Sequence, residues 1–359
     1  MPHRPLIIDV TRSPRGHGNV QGALHVVRPL DLLAQQLRAL ATQTGMDTAH
    51  VSDVLIGCVT QNGEQGSNIG KRAVLAAGWS DRVVGITLNH DCASSLTAVQ
   101  FAALQALAHD SLAVGGGVES VSRVPQDLDP AFLARADHAV ATHSGFTQAQ
   151  CEAYALASQQ RACHAQAQGY FRSIHPALGA DGQLGLAQDE TPLAELAGLP
   201  VHAGSAHHAG HAAIPADGAS AVLLASPVAA ARLGLHARGR ILSMADASCN
   251  PAGTLTGAIA ATQQALTLAG LAVTDMDLFE VHESFAGLML DYMKHLRVPH
   301  DKLNVNGGTI ALGHAMGATG STLVGMALDE LERRGARRAV VAIGTATGMG
   351  VAMVIERAH

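Results

Sequence analysis

The sequence predicts an α/β fold made of two related halves, with a loop-rich segment inserted in the first. Short runs rich in Val, Ile and Leu, which read as strands, alternate with longer stretches at helical spacing along nearly the whole chain. An order of helix, strand, helix and strand met early in the chain returns in its last third, the mark of an internal repeat. From about 123 to 210 the regular patterning gives way to prolines and glycines. The expected halves are residues 1–234 and 235–359, with the insert inside the first.

Taken in order, "LDLLAQQLRALATQTG" reads as a helix and "VSDVLIGCVT" as a strand. "LNHDCASSLTAVQFAAL" reads as strand, sharp turn and helix, with Ala93, Ser94 and Ser95 in the first turn. Leu96, Val99, Leu104 and Leu107 give that helix its expected apolar face. "SLAVGGGVESVS" is a strand running into glycines. The middle holds Pro125, Pro130, "GADGQLGLAQDETP" and one amphipathic helix, "AQCEAYALASQQRACHAQAQGYF". Regular structure resumes with the strand "GASAVLLAS", a helix from Pro227 to Leu233, and "GRILSMAD". "LTGAIAATQQALTLAGL" and "DMDLFEVHES" then echo the helix and strand of residues 30 to 60. "GHAMGATGSTLVGMALDELERRG" is a glycine-led helix, and "ARRAVVAIGTATGMGVAMVIER" is strand, glycine turn, strand.

Composition narrows the class. Apolar residues make up 48% of the 359 but aromatics only 3%, so Ala, Leu, Val and Gly must fill the core. The net charge is −6, and no basic tract suggests nucleic acid as a partner. Five cysteines (Cys58, Cys92, Cys151, Cys163, Cys249) form no CxxC, which argues for free thiols in a reducing compartment. The apolar core of "MPHRPLIIDVTRSPRG" is too short for a signal peptide, and no apolar run is long enough to span a bilayer. A cytoplasmic protein is expected. "HHAGH", His207 to His211, matches no standard zinc spacing and reads as a polar loop, so no metal is expected.

The chemistry centres on Cys92. A thiol at a helix N-terminus meets unpaired N–H groups and the helix dipole, which favour the thiolate and lower its pKa. The competing reading is a buried structural cysteine. A cysteine nucleophile needs an imidazole within hydrogen-bond reach. His314, in "NGGTIALGHAMGATG", leads the helix of the second half that corresponds to the Cys92 helix, so the repeat predicts that the two meet. His282, in "FEVHESFAG", stands at the carboxyl end of a strand, where α/β folds place chemistry, and Glu283 is suited to cap the following helix. The turn Gly344 to Gly350, with Gly344, Ala346, Gly348 and Gly350, offers backbone N–H groups to an oxyanion.

"GGVESVSR", "VHESFAG", "NVNGGTIALGHAMGATGS" and "GMGVAMVIE", with the Cys92 segment, resemble the thiolases, acyl-CoA acyltransferases that cleave or form 3-ketoacyl-CoA. The resemblance runs from "IIDVTRSPRG" to the C-terminus. It implies a five-layered α/β/α/β/α fold of two related halves, with an inserted loop segment covering CoA. It makes Cys92 the acyl-accepting nucleophile, His314 the histidine of "GHP" with Ala315 in place of proline, and His282 the residue of "NEAF/HEAF". CoA is then a substrate, and no cofactor is implied. Three departures stand out. Gly344 occupies the place of the second cysteine in "CxGGGxG" and cannot titrate. The CoA-contacting segment "NASGxNDGA" reads "HAAIPADGA", which puts His211, Ala213 and Ala219 at CoA and Ala213 where serine is usual. The segment after "GGVESVSR" is shortened around 125 to 147, which favours a homodimer over the family's tetramer. Without the second cysteine two other readings stay open. One is a Cys-His-His condensing enzyme like the ketoacyl synthases, or an acyl-CoA hydrolase. The other is a weakly active thiolase-like partner or binding subunit.

Overall fold

The computed structural model describes residues 4–125, 145–179, 181–192, 209–249 and 256–358. The first half contributes β1 (Leu6–Arg12), β2 (Gly16–His17), α1 (Pro29–Thr44), β3 (Val51–Gly57), α2 (Ile69–Ala76), β4 (Val84–Leu88), α3 (Ser94–His109) and β5 (Leu112–Glu119). The insert holds α4 (Gln148–Ala167) and the small hairpin β6 (Ala177–Leu178) with β7 (Leu184–Leu186). β8 (Ala216–Ala225) and α5 (Pro227–Leu233) follow. The second half runs β9 (Gly239–Ser248), α6 (Gly257–Ala269), β10 (Leu278–Val281), α7 (Ala286–Leu296), α8 (Thr309–Leu312), α9 (Thr319–Arg334), β11 (Arg338–Gly344) and β12 (Met349–Arg357). Among the described residues no helix is long and apolar enough to cross a membrane.

The repeat is written in the strand order β4-β3-β5-β8-β1-β9-β12-β11-β10. Outward from the middle, β1 pairs antiparallel with β8, β8 antiparallel with β5, and β5 parallel with β3. On the other side β9 pairs antiparallel with β12, β12 antiparallel with β11, and β11 parallel with β10. The two blocks have the same topology, with β4 added at one edge. They join through only two residue pairs, Leu6 with Arg240 and Ile7 with Gly239.

Three apolar clusters define the layers. One lies between α1 and the outer face of the first block, with Leu33 and Leu37 against Val54, Ile56 and Leu223. A second lies outside the other block, with Ala261 and Ala265 of α6 against Val340, Ala352 and Val354. The third is central: α3 and α9 sit between the inner faces, touching Val222 and Leu224 on one side and Ile343 and Met353 on the other. Strand residues alternate between clusters, as the two-residue period requires: Leu223 faces out while Val222 and Leu224 face in. Helix, sheet, helix pair, sheet and helix make the five layers.

Two expectations change here. Leu104 was assigned to the buried face of α3 and is 52% exposed; the buried face is Leu96, Val99, Ala98, Ala102, Ala103 and Ala106. α3 packs on β3 and β5 and also against α9, so close backbone approach selects small residues. The glycines of "GGG" lie inside β5 rather than after it. A Cβ at Gly115 would come within 2.4 Å of the Cα of Val99, so the bare strand lets α3 seat directly on the sheet.

Candidate active site

Cys92 stands in the turn between β4 and α3, two residues before the helix begins. Asp91 holds the left-handed conformation (φ 49°) that turns the chain sharply, and its N–H donates to Asn89 Oδ1 at 2.9 Å. Ser94 Oγ donates to the Asp91 carbonyl at 2.6 Å and accepts the His90 N–H at 2.8 Å, which locks the turn. The backbone N–H groups of Cys92 itself and of Ala346 approach the sulfur. The expected fall in the thiol pKa does not occur. Burial, with the Asp91 carboxylate next, pushes the Cys92 thiol up to about 12. Desolvation outweighs the two N–H groups and a helix start that lies two residues away.

His314 is fixed in an extended turn by two backbone bonds: its N–H donates to Ile214 O (2.8 Å), and its carbonyl accepts from the Ala216 N–H (3.2 Å). Its Nδ1 lies 2.8 Å from Thr319 Oγ1, and that hydroxyl donates its own proton to Ala315 O at 3.1 Å. Nδ1 therefore carries the proton, and Nε2 is a bare acceptor with no hydrogen-bond partner. His282 directly follows β10, with its N–H donating to Ala342 O at 3.0 Å. Its Nδ1 lies 2.9 Å from Thr309 Oγ1, which accepts the Glu283 N–H at 2.8 Å. The Thr309 proton has no second acceptor among the described contacts, so the hydroxyl can donate to His282 Nδ1 or accept from it. The tautomer of His282 is switchable; that of His314 is fixed.

The two imidazole rings lie face to face but tilted by 32°, with centroids 4.0 Å apart, and one ring nitrogen of each lies with Cys92 Sγ in a group no wider than 4.8 Å. The repeat-based expectation that Cys92 and His314 meet is met in space. Burial, with the Arg15 charge second, lowers His282 to about 3. Burial, then His282 and Arg15, holds His314 well below the ordinary histidine value. At neutral pH the site is a thiol between two neutral imidazoles. The same set contains zinc-ligand types, but a tetrahedral site would draw them to roughly 3.5 Å apart and need a fourth donor. The geometry suits proton transfer better.

Of the glycine turn, Ala346 alone faces the sulfur. The Gly348 N–H closes the turn onto Thr345 O (3.1 Å), and Gly350 pairs in the sheet with Ala247 and Gly344. The turn is tied to the nucleophile's own loop, because Thr347 Oγ1 donates to Asp91 Oδ2 at 2.6 Å. Gly344 lines the cavity that holds Cys92, His282 and His314, a space of about 200 Å³. Ala213 also lines it, with its N–H on Ser284 O at 3.1 Å. His211 is buried and does not line this cavity, and Ala219 belongs to the outer core under α1. His207 and His208, like most of the segment shortened around 125 to 147, lie outside the described residues.

Glu283 caps α8 through the Ile310 N–H (3.1 Å), not the helix that follows it in sequence. Thr309, Thr319 and Arg15 were not singled out by sequence. Arg15 is buried, its backbone N–H donating to Asp189 Oδ1 (2.7 Å) and its Nη2 to Thr322 Oγ1 (2.8 Å). Asp189 is claimed bidentately by Arg12, so Arg15 has no carboxylate of its own, and burial, with Arg12 next, lowers it to about 9. Nothing in "RSPRG" marks it as interior.

A duplicated α/β scaffold that brings a cysteine, two imidazoles and backbone N–H groups to one apolar cavity defines a cysteine-dependent acyl-transfer site. Comparison with known proteins gives the family. Residues 6–150 match the thiolase N-terminal domain and residues 235–357 the thiolase C-terminal domain. The chain is 37% identical to a 3-ketoacyl-CoA thiolase of Serratia proteamaculans, over 98% of this chain and 99% of that one. It is 34% identical to a 3-oxoadipyl-CoA/3-oxo-5,6-dehydrosuberyl-CoA thiolase of Escherichia coli, covering 98% of each. The crystal structure of human mitochondrial 3-ketoacyl-CoA thiolase superposes with a TM-score of 0.92 at 27% identity, covering 99% of both chains. That of the Bacillus anthracis acetyl-CoA acetyltransferase gives 0.91 at 29%, again covering 99% of both. The chain belongs to the thiolase family.

Proposed function

We propose that this thiolase-family acyltransferase carries the acyl group on Cys92 and cleaves or forms 3-ketoacyl-CoA with His314 and His282 in separate roles. The observation that carries the reading is the bare, unpartnered Nε2 of buried His314 within the 4.8 Å Cys-His-His group. In cleavage, Nε2 takes the Cys92 proton as Sγ bonds to the C3 carbonyl carbon. The Cys92 and Ala346 N–H groups receive the developing oxyanion. The C2–C3 bond then breaks, and the proton passes from His314 to C2, releasing acetyl-CoA. In the second half His282, with Nδ1–H turned onto Thr309, takes the proton of the CoA thiol. The CoA sulfur attacks the acyl carbonyl, and Cys92 leaves as thiolate and recovers that proton.

The assignment of His282 answers the glycine at 344, where no side chain can titrate. Wild type, Gly344→Cys and Gly344→Cys with His282→Ala test it, with mass spectrometry of acyl-Cys92 and thiolysis rates as readouts. High wild-type thiolysis, no gain from the added cysteine and rescue of His282→Ala by it are expected. A large gain in Gly344→Cys alone would show that the base was missing. A second reading draws on the same Cys-His-His group without a second cysteine: condensation driven by decarboxylation. Faster condensation with malonyl-CoA than with acetyl-CoA as extender would favour it.

The protein also suits a homodimer built on β4. Among the described residues this edge strand has no partner on its outer side, with Val84 51% and Ile86 39% exposed, and α3 of the same half exposes Phe101 and Leu104. Five free cysteines fit a reducing compartment such as the cytoplasm.

A further inference from the structure

A carboxylate beside the nucleophile works against the thiolate. Asp91 immediately precedes Cys92 and lines the same cavity, and its charge is second only to burial in raising the thiol. Its hydrogen bonds supply a compensating role.

Thr347 Oγ1 donates to Asp91 Oδ2 at 2.6 Å, a length typical of a charge-assisted bond. Having given its own proton, Thr347 Oγ1 accepts from Thr345 Oγ1 at 2.8 Å, and Thr345 Oγ1 accepts the Met349 N–H at 3.2 Å. The bonds run in one direction, from Met349 through Thr345 and Thr347 to the carboxylate, so that each polarises the next. Thr345 and Thr347 flank Ala346, whose N–H approaches the Cys92 sulfur. Thr345 is also fixed by its own N–H, which donates to Met349 O at 2.8 Å. Among the described residues Thr347 forms hydrogen bonds through its hydroxyl and none through its backbone. The Ala346 side of the turn is therefore anchored at Asp91.

We infer that Asp91 is a positioning residue for acyl transfer: through Thr347 it holds the turn that sets the Ala346 N–H against the reacting carbonyl oxygen. The inference rests on the acyl-transfer reading above and adds the residue that keeps its oxyanion donor in place. An uncharged acceptor would spare the thiolate but make a weaker bond. The carboxylate gives up thiolate for a stiffer turn.

The test compares two reactions of one sulfur. Acylation of Cys92 by acetyl-CoA or hexanoyl-CoA builds an oxyanion, whereas alkylation by iodoacetamide displaces iodide at a saturated carbon and builds none. The ratio of the two rates separates the oxyanion donor from the supply of thiolate. Thr347→Val should lower that ratio at least about tenfold, and Thr347→Ser, which keeps the hydroxyl, should restore most of it. Asp91→Asn keeps an acceptor and tolerates the left-handed backbone (φ 49°) but removes the charge. The thiolate fraction then grows while its nucleophilicity falls, so alkylation should rise about threefold, and acylation should not rise with it. An unchanged ratio in a folded Thr347→Val, an equal fall in Thr347→Ser, or acylation rising in step with alkylation in Asp91→Asn overturns the inference alone. A wild type that fails to acylate Cys92 overturns the acyl-transfer reading and the inference with it.

Discussion

Cys92, His282 and His314 show how one residue's chemistry depends on its neighbours' protons. Thr319 gives its own proton to Ala315 O and so fixes His314 as an acceptor, while Thr309 leaves His282 free to be donor or acceptor. His314→Ala should slow acylation of Cys92 by roughly a hundredfold or more, while His282→Ala should spare acylation and slow turnover. Rapid-quench measurement of acyl-enzyme separates the two, and equal losses in both steps would contradict the division. Because burial raises the Cys92 thiol to about 12, its alkylation rate should climb with pH from 7 to 10 without a plateau. A plateau near pH 8 would show a thiolate already favoured. The residues of this trio were legible because they stand in motifs at turn and strand ends. The direction of the thiol's shift was not, since desolvation depends on how the folded chain surrounds the sulfur.

Among the elements, α4 illustrates how an inserted segment becomes part of the site's support. Thr147 and Gln150 form a capping box that starts the helix, and its buried stripe includes Cys151, Tyr154, Ala155 and Ser158. Tyr154 OH (2.7 Å) and Ser158 Oγ (2.8 Å) donate to buried Glu283, as do Asn304 Nδ2 (2.9 Å) and the Ile310 N–H. One carboxylate ties the insert to α8 and holds the residue next to His282. Glu283→Ala should cost about 3 kcal/mol or more, because four buried donors lose their acceptor, and Glu283→Gln should cost less. Denaturant midpoints with an unchanged m-value would measure it, and an unaltered midpoint for the alanine variant would remove Glu283 from this role. The sequence showed helix α5 at its observed limits, Pro227 and Leu233, because Pro at the first turn and Gly234 after the last are local signals. It misassigned Glu283 because the helix capped there comes from a segment more than twenty residues on.

For the whole molecule, burying two imidazoles links stability to pH. The folded pKa of His282 lies near 3 and the unfolded value near 6.5, so the unfolded chain binds the extra proton between those limits. Stability contributed by the neutral ring is complete above pH 6.5 and is lost as pH falls through that window, at about 1.4 kcal/mol per unit. His282→Asn should flatten the fall in unfolding free energy between pH 6.5 and 5 by about that slope, and a parallel profile would show the ring protonated in the fold. Light scattering tests the β4 dimer: a stable dimer is expected, Ile86→Lys should yield monomer, and a wild-type monomer at micromolar concentration would count against it. By itself the sequence determined the alternation of strands and helices, the repeated half and the meeting of Cys92 with His314. These follow from hydrophobic period and local turn chemistry, which a chain carries residue by residue. Tertiary structure alone decided that α3 buries alanines, that Arg15 lies inside behind the histidines, and that the thiol is neutral. Each depends on which surfaces exclude water once two sheets have closed around one pair of helices.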